Sequence, residues 1–402
     1  MSVVYVIGAG VSGLGAVSKL SKNGRNVVIF ESANHPGGRC RTFYDEKLGA
    51  EIDNGNHLVL SSNKSILEMA DESQLHIAER ADFDFIDLKN NSSWKIDGGS
   101  GRIPWFYKKP PGASAWNLLN DYRKLNCDRA ISDVLDTSSV RWHSFWLPLV
   151  LAIMNTSPDR ASARLLHRVL SETILRGGHN SRPVFALNGI SKAFIEPTAG
   201  RADIRYATPL KDIDTNNGKV SGLVFRDFAI SLKTDDVVIM AVPWAQAYNI
   251  VPSLPKPPEF NVIINVHFKT SSSVQIPQMT GLVGSHSHWL FRRKNVASIT
   301  ISAANRLSQN DSDTIAGLVW DDVGNLLGGG PMPEYRVIKE KSATFNASPK
   351  TDSMRPSTAS GMKNLFIAGD WAATGLPATL EGAARSGFLA ADAALRFLNA
   401  QD

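Results

Sequence analysis

Three glycines at 8, 10 and 13, with a glutamate at 31, have the types and spacing needed to hold a diphosphate and a ribose. Gly8 permits a tight turn, Gly10 lets the backbone approach a pyrophosphate, and Gly13 lets a helix pack closely on a strand. Val11 and Ser12 open that helix, whose unpaired N–H groups meet the phosphates. Glu31, with Ser32 beside it, stands where a carboxylate accepts hydrogen bonds from ribose hydroxyls. Gly37 and Gly38 allow a second close approach of backbone to ligand, and Arg39 and Arg41 can pair with phosphate oxygens. A second group lies at the far end of the chain, where Gly369 and Asp370 are followed by Ala378, Thr379, Leu380 and Glu381.

These residues need a strand–turn–helix–strand frame to position them. Val3, Val4, Val6 and Ile7 run directly into Gly8, and a second apolar strand, NVVIFE, ends at Glu31. Leu365, Phe366 and Ile367 read as a short buried strand closed by Gly369 and Asp370. Pro377 and Thr379 then precede Glu381, Ala383 and Ala384, which read as the start of a helix. The predicted fold class is α/β, with a Rossmann-type dinucleotide-binding domain interleaved with an α+β substrate domain. Residues 1–60, 196–245 and 355–402 form the discontinuous nucleotide domain, and 61–195 and 246–354 the substrate domain, with a helical part facing a membrane. Residues 61–180 read as mostly helical, including SARLLHRVLSETIL with its apolar i, i+3, i+4 spacing. Strands return at 204–213 and 220–241, and INVHF and ASITISA belong to a substrate-side sheet.

At 402 residues the chain suits two interleaved domains rather than one small core. A formal charge of +5 is modest for this length and argues against a nucleic-acid partner. Cysteines and histidines show no zinc-type spacing, so no metal is expected. Two cysteines, Cys40 and Cys127, make no disulfide framework, which favours a reducing compartment. No basic segment precedes the first strand, so no signal peptide is expected and the predicted location is cytoplasmic. The longest apolar run, FWLPLVLAIM (145–154), has ten residues against the about 20 that a spanning helix needs. It reads as a buried helix or as the wall of an apolar channel. Two segments, IPWFYKKPPG (103–112) and HWLFRRK (288–294), mix rings with cations. They read first as strand ends with solvated basic residues, and second as peripheral contacts with the inner membrane.

Five stretches carry a family resemblance almost end to end: AEIDNGNHLVL (50–60), FWLPLVLAIMNTSPDRASARLLHRVL (145–170), WLFRRKNVASITISAANRL (289–307), KEKSATFNASP (339–349) and GDWAATGLPATLEGAARSG (369–387). On these residues the chain resembles the hydroxysqualene dehydroxylases, or squalene-associated FAD-dependent desaturases, of the amine oxidase/phytoene desaturase superfamily. The resemblance implies FAD held by both ends of the chain. The glycine loop and Glu31 take the nucleotide, and Asn54, Gly55, Asn56 and His57 form a turn passing the isoalloxazine. Backbone at Leu210 passes the adenine, Gly369 and Asp370 meet the ribityl chain or pyrophosphate, and the helix start at 378–380 faces the N1–C2=O edge. No cysteine lies near the C-terminal motif, so the FAD is expected to be non-covalent. Asn56 departs from the usual Gln of the family, and Lys341-Ser342 from a basic pair.

Amine-oxidising relatives place an aromatic ring before the final EGA helix, where this chain has Thr379. The resemblance therefore implies a long apolar isoprenoid substrate and loss of the allylic hydroxyl of hydroxysqualene, quenched by hydride from reduced flavin, in hopanoid or triterpene synthesis. A hydroxysqualene synthase is the implied partner. His57 is the first candidate for the acid that helps the hydroxyl leave, or else a histidine that only hydrogen-bonds backbone or flavin. Glu381 is the second, or else a helix-capping carboxylate. Arg292 and Arg293 could pair with a diphosphate of a related substrate, or lie solvated at a sheet edge. Two alternatives stay open: a phytoene- or squalene-type desaturase, and a flavin-free prenyl carrier, against which the intact flavin motifs argue.

Overall fold

The computed structural model describes residues 2–103, 106–271 and 276–401. A five-stranded parallel sheet, the nucleotide sheet, runs in the order Asp203–Arg205, Asn26–Phe30, Val3–Ile7, Val237–Met240, Leu365–Ile367. Apart from the exposed edge strand Asp203–Arg205, its strands are short and rich in β-branched or aromatic residues, as expected for strands covered on both faces. All four residues of Val237–Met240 are buried. The glycine-loop helix, Val11–Lys22, and the C-terminal helix, Leu380–Asn399, pack against each other on this sheet. Their approach depends on missing side chains: a Cβ at Gly387 would overlap the Ser12 carbonyl, and one at Gly15 would lie 2.9 Å from the Ala384 carbonyl oxygen.

A seven-stranded sheet forms the other wall of the molecule, in the order Tyr335–Phe345, Phe260–Lys269, Val296–Ile301, Trp289–Arg293, Met279–Val283, Asp82–Asp87, Ser92–Asp97. Its pairing is antiparallel except between Met279–Val283 and Asp82–Asp87. The helix Ser312–Val323 covers one face, with Ile315, Ala316, Val319 and Val323 in the core it shares with Val266, Phe268 and Ile299. On the opposite side stand helices Ala115–Lys124, Leu147–Met154 and Ala163–Glu172.

Two sequence expectations need correction here. Residues 61–180 are not mostly helical, because 82–97 form a hairpin that extends the seven-stranded sheet. DFDFID alternates with a period of two, and Phe85 stacks on Trp94 at 5.5 Å while meeting Trp289 edge-on, contacts available only in a strand. Strand 204–213 is broken: the chain pairs with the nucleotide sheet only at Asp203–Arg205, turns through Ala207 (φ 51°), and resumes at Asp212–Asn216 in a separate three-stranded sheet. The apolar run 145–154 is both things proposed for it. Trp146, Val150 and Met154 enter the core, while Phe145, Leu149, Ala152 and Ile153 face a cavity. Among the described residues no helix is long and apolar enough to cross a membrane.

Candidate active site

A continuous cavity of about 810 Å³ lies between the two sheets, within the usual range for a bound small molecule or cofactor. One arm is polar and follows the nucleotide sheet. Gly8 (φ 104°) turns the chain out of the first strand, and a Cβ there would lie 2.7 Å from the Ala241 carbonyl oxygen. At Gly10 an added Cβ would meet no protein atom within 4 Å, so the bare backbone faces the cavity at the point where a pyrophosphate must approach. Gly37 and Gly38 close over the same spot: Gly37 N donates to the Ala9 carbonyl at 2.8 Å, and Gly37 bridges to Gly10. Glu31 is held rigidly by Ala9 N (2.7 Å), Ala33 N (2.8 Å) and Ser32 Oγ (3.1 Å). Those three donors fix its carboxylate at the cavity edge while leaving about one acceptor position for a ribose hydroxyl. Val11 and Ser12 line the arm as well, whereas Gly13 sits beneath it, with no room for a Cβ against the Gly8 carbonyl. Leu210 does not line the cavity; it packs against the apolar core instead.

The two arginines are spoken for within the protein. Arg39 donates to Asp370 Oδ1 at 3.0 Å and to the Ala343 carbonyl at 2.7 Å, tying the GD motif to the seven-stranded sheet. Its guanidinium is held above its ordinary range chiefly by the Asp370 charge. Arg41 Nη1 lies 2.8 Å from His35 Nε2 and its guanidinium covers the Phe43 ring. Both still line the cavity.

Sequence reasoning missed Arg355. Buried behind the 369–379 loop, it donates to the carbonyls of Asp370 (3.1 Å), Trp371 (3.2 Å), Leu376 (2.6 Å) and Ala372. One rigid fork thereby gathers four carbonyls of the turn, of which that of Ala372 also accepts from Thr374 N. Trp371 completes the support by stacking on Trp244 at 5.5 Å and donating its indole N–H to the Val242 carbonyl. Thr379 caps the C-terminal helix, accepting from Gly382 N at 3.0 Å, and Ala378, Thr379 and Leu380 line the cavity. Apart from an ion pair with Asp352 three residues earlier, the partners of Arg355 are carbonyls 15 to 21 residues away, so nothing local in the sequence marks its role.

The 54–57 turn is pinned from both sides. Asn54 Oδ1 accepts from Arg41 N at 3.0 Å, and Asn56 Nδ2 donates to Thr300 Oγ1 at 2.9 Å. Thr300 Oγ1 in turn donates to Asn265 Oδ1 at 2.9 Å, and Asn265 Nδ2 reaches the Asn54 carbonyl at 3.4 Å. Asn265, a polar residue inside an apolar strand, is a second residue that sequence reasoning missed; its isolation within NVIINVHF was the available signal. His57 lines the cavity half-buried, and its Nε2 has no hydrogen-bond partner among the described residues. Burial pushes its pKa below the ordinary imidazole value, against the opposing pull of Asp53, so the ring is neutral near pH 7. Glu381 is engaged differently. Its carboxylate accepts from Ser65 N (2.9 Å), Ile66 N (3.1 Å), Ser65 Oγ (2.8 Å) and Arg385 (3.3 Å). It thus caps the first turn of the short helix Lys64–Glu68.

The second arm is apolar. Phe83, Phe85, Phe145, Ile153, Phe260 and Trp289 contribute to its wall, contributed by the seven-stranded sheet and the helices opposite it. Its polar neighbours include Asn155, whose Nδ2 donates to Thr344 Oγ1 at 2.9 Å, Glu172, paired with Arg385 at 2.6 Å, and Thr173 and Gln246. Arg293, offered as a diphosphate ligand, instead pairs with Asp53 at 2.7 Å and the Glu51 carbonyl at 3.0 Å. Within HWLFRRK, Trp289–Arg293 form a strand paired on both sides, with Trp289 and Leu290 buried. Among the described residues no cluster of potential metal ligands occurs.

A nucleotide arm gripped by both chain ends and opening into an apolar arm defines an FAD-dependent oxidoreductase of the amine oxidase class. The open Gly10 cradle and the rigidly held Glu31 fit that cofactor. Residues 119–395 match the family described as flavin containing amine oxidoreductase, and residues 6–73 match an NAD(P)-binding Rossmann-like domain. Cyclohexylamine oxidase from Brevibacterium oxydans IH-35A superposes with a TM-score of 0.74 at 14% identity, covering 100% of this chain and 99% of that one. The hydroxysqualene dehydroxylase of Sinorhizobium fredii is 37% identical over 98% of this chain and 99% of its own length. That of Rhodopseudomonas palustris is 36% identical over 98% of each. The chain belongs to the hydroxysqualene dehydroxylase family.

Proposed function

We propose that this protein removes the allylic hydroxyl of hydroxysqualene and delivers squalene for hopanoid or triterpenoid synthesis. The carrying observation is the joined cavity, in which a cofactor arm continues into a long aromatic and aliphatic arm. When bound and reduced, FAD supplies the hydride. The chain's own residues do the rest. Thr379, small where amine oxidisers have a ring, leaves width for a hydrocarbon chain. The aromatic wall keeps water from the electron-deficient carbon left when the hydroxyl departs, and ring faces favour positive charge.

His57, which lines the cavity, is proposed as the group that gives a proton to the departing oxygen, which leaves as water. Its depressed pKa makes the protonated ring a stronger acid than ordinary imidazolium, though a minority species at neutral pH. Glu381 is assigned to positioning: four bonds commit it to the short helix at 64–68 and to Arg385. Leu210 remains a proposed adenine neighbour through its backbone only. The substrate is delivered either from the bilayer or by the synthase that makes it.

The test is anaerobic. Dithionite-reduced protein incubated with hydroxysqualene should yield squalene, with one FAD oxidised per product. Squalene consumption by the oxidised protein, with no product from hydroxysqualene, would instead establish a desaturase.

A further inference from the structure

Among the described residues the four most exposed large apolar side chains are Ile103 (78%), Trp116 (73%), Tyr107 (64%) and Val140 (62%). Trp116 and Val140 belong to one face, and Tyr107 lies five residues before the Gly112 turn that touches Val140. Gly112 lies against Val140, the Asn117 side chain donates to the Gly112 carbonyl at 3.3 Å, and Ser144 Oγ donates to the Pro111 carbonyl at 2.8 Å. Those contacts seat the start of the helix Ala115–Lys124 beside Val140. That helix buries Leu118 and Asp121, which turns Trp116, Leu119, Asn120 and Arg123 outward at i, i+3, i+4, i+7 spacing. Tyr107 lies over Gly99 and under the Arg80 guanidinium, and its backbone N–H donates to the Asp97 carbonyl at 2.7 Å, which ties this segment to the edge of the seven-stranded sheet. Pro104 and Trp105, in the same sequence segment, lie outside the described residues.

Charge along the stretch 102–124 is nearly all positive, and exposed Asp136 near Val140 is the acid within electrostatic reach of Lys124. Between residues 102 and 124 the chain carries Arg102, Lys108, Lys109, Arg123 and Lys124, all exposed. The one acid in that stretch, Asp121, is buried against Arg141 (2.7 Å) and the Trp146 indole (2.9 Å). The face is also continuous with the cavity: Phe106 meets Phe145 edge-on at 6.3 Å, and both line the apolar arm. Apolar tips projecting singly among cations fit a headgroup layer, where rings and aliphatic tips enter the acyl boundary and basic groups meet anionic lipid.

We propose that this face docks on an anionic bilayer and that the apolar arm draws its substrate from the membrane there. The inference rests on the reading that the substrate is a long hydrocarbon. Docking is tested with the FAD-loaded protein, sedimented with vesicles of phosphatidylcholine alone or with phosphatidylglycerol added. Wild type should sediment with the anionic vesicles and be released by salt. The double variants Ile103→Ser/Trp116→Ser and Lys108→Glu/Lys109→Glu should keep their flavin absorbance yet lose vesicle binding by more than about tenfold. They should turn over detergent-dispersed hydroxysqualene normally and lose turnover of vesicle-embedded substrate. Wild type remaining in the supernatant, variants binding like wild type, or binding that appears only when a synthase protein is added would each overturn the proposal. Vesicle binding without any turnover in detergent would preserve docking and refute the assigned reaction instead.

Discussion

At the scale of single residues, His57 and Glu381 looked alike in the sequence and differ in the structure. His57 lines the cavity and its buried Nε2 has no hydrogen-bond partner among the described residues, whereas Glu381 has none of its capacity to spare. His57→Ala should therefore keep the yellow FAD and lose most turnover, measured as squalene formed per flavin. Because burial lowers the His57 pKa, its protonated fraction grows as pH falls below the ordinary imidazole range. Turnover limited by that proton should rise on acidification, and the rise should vanish in His57→Ala. Glu381→Gln should leave the pH profile of turnover unchanged, since the carboxylate is a cap rather than an acid. What it should cost is stability, about 1–3 kcal/mol from the charged acceptor it removes, read by thermal unfolding. Loss of the acidic rise in this variant would transfer the role of acid to Glu381. The glycines, Glu31 and the GD pair were legible in sequence because their function depends on short spacing. Asn265 and Arg355 were not, because what they do depends on partners brought close only by folding.

At the scale of elements, the parallel strands around the glycine loop could be read directly, since β-branched runs ending in glycine have few other uses. The 82–97 hairpin pairs locally and DFDFID carried a period-two signal, but the further pairing of Asp82–Asp87 with Met279–Val283, almost 200 residues away, has no local pattern to specify it. Two element-level outcomes follow. Gly387→Ala, by placing a methyl against the Ser12 carbonyl, should push the C-terminal helix off the glycine-loop helix. The expected loss is about 1–3 kcal/mol with weakened FAD retention, measured by unfolding and by flavin release. The seven-stranded sheet and its flank bury two neutral histidines, His267 and His288, whose burial lowers each pKa to about 4. The unfolded chain takes up protons below the ordinary value of 6.5 and the folded chain does not until about pH 4, so stability falls with pH across that window. A melting-temperature series should show that slope, and His267→Gln should flatten it; an unchanged slope would remove His267 from the account.

At the scale of the whole molecule, two walls built from distant parts of the chain enclose one cavity with two characters. The nucleotide sheet gathers strands from near residues 5, 28, 204, 239 and 366, so cofactor and fold are completed by the same C-terminal segment. Arg355 joins those scales by holding the 369–379 loop through its carbonyls. Arg355→Lys, with one ammonium replacing a fork, should bind FAD more weakly while leaving the seven-stranded sheet intact. Flavin retention on gel filtration would check it. The central claim is that a reducing equivalent from the cofactor arm passes directly to the carbon that loses its hydroxyl in a water-free apolar arm. Its most direct test is a single turnover of protein reduced in heavy water, followed by mass analysis of the squalene. The account predicts one deuterium on the carbon that bore the hydroxyl. Squalene without deuterium, or recovered alcohol in place of squalene, would contradict it.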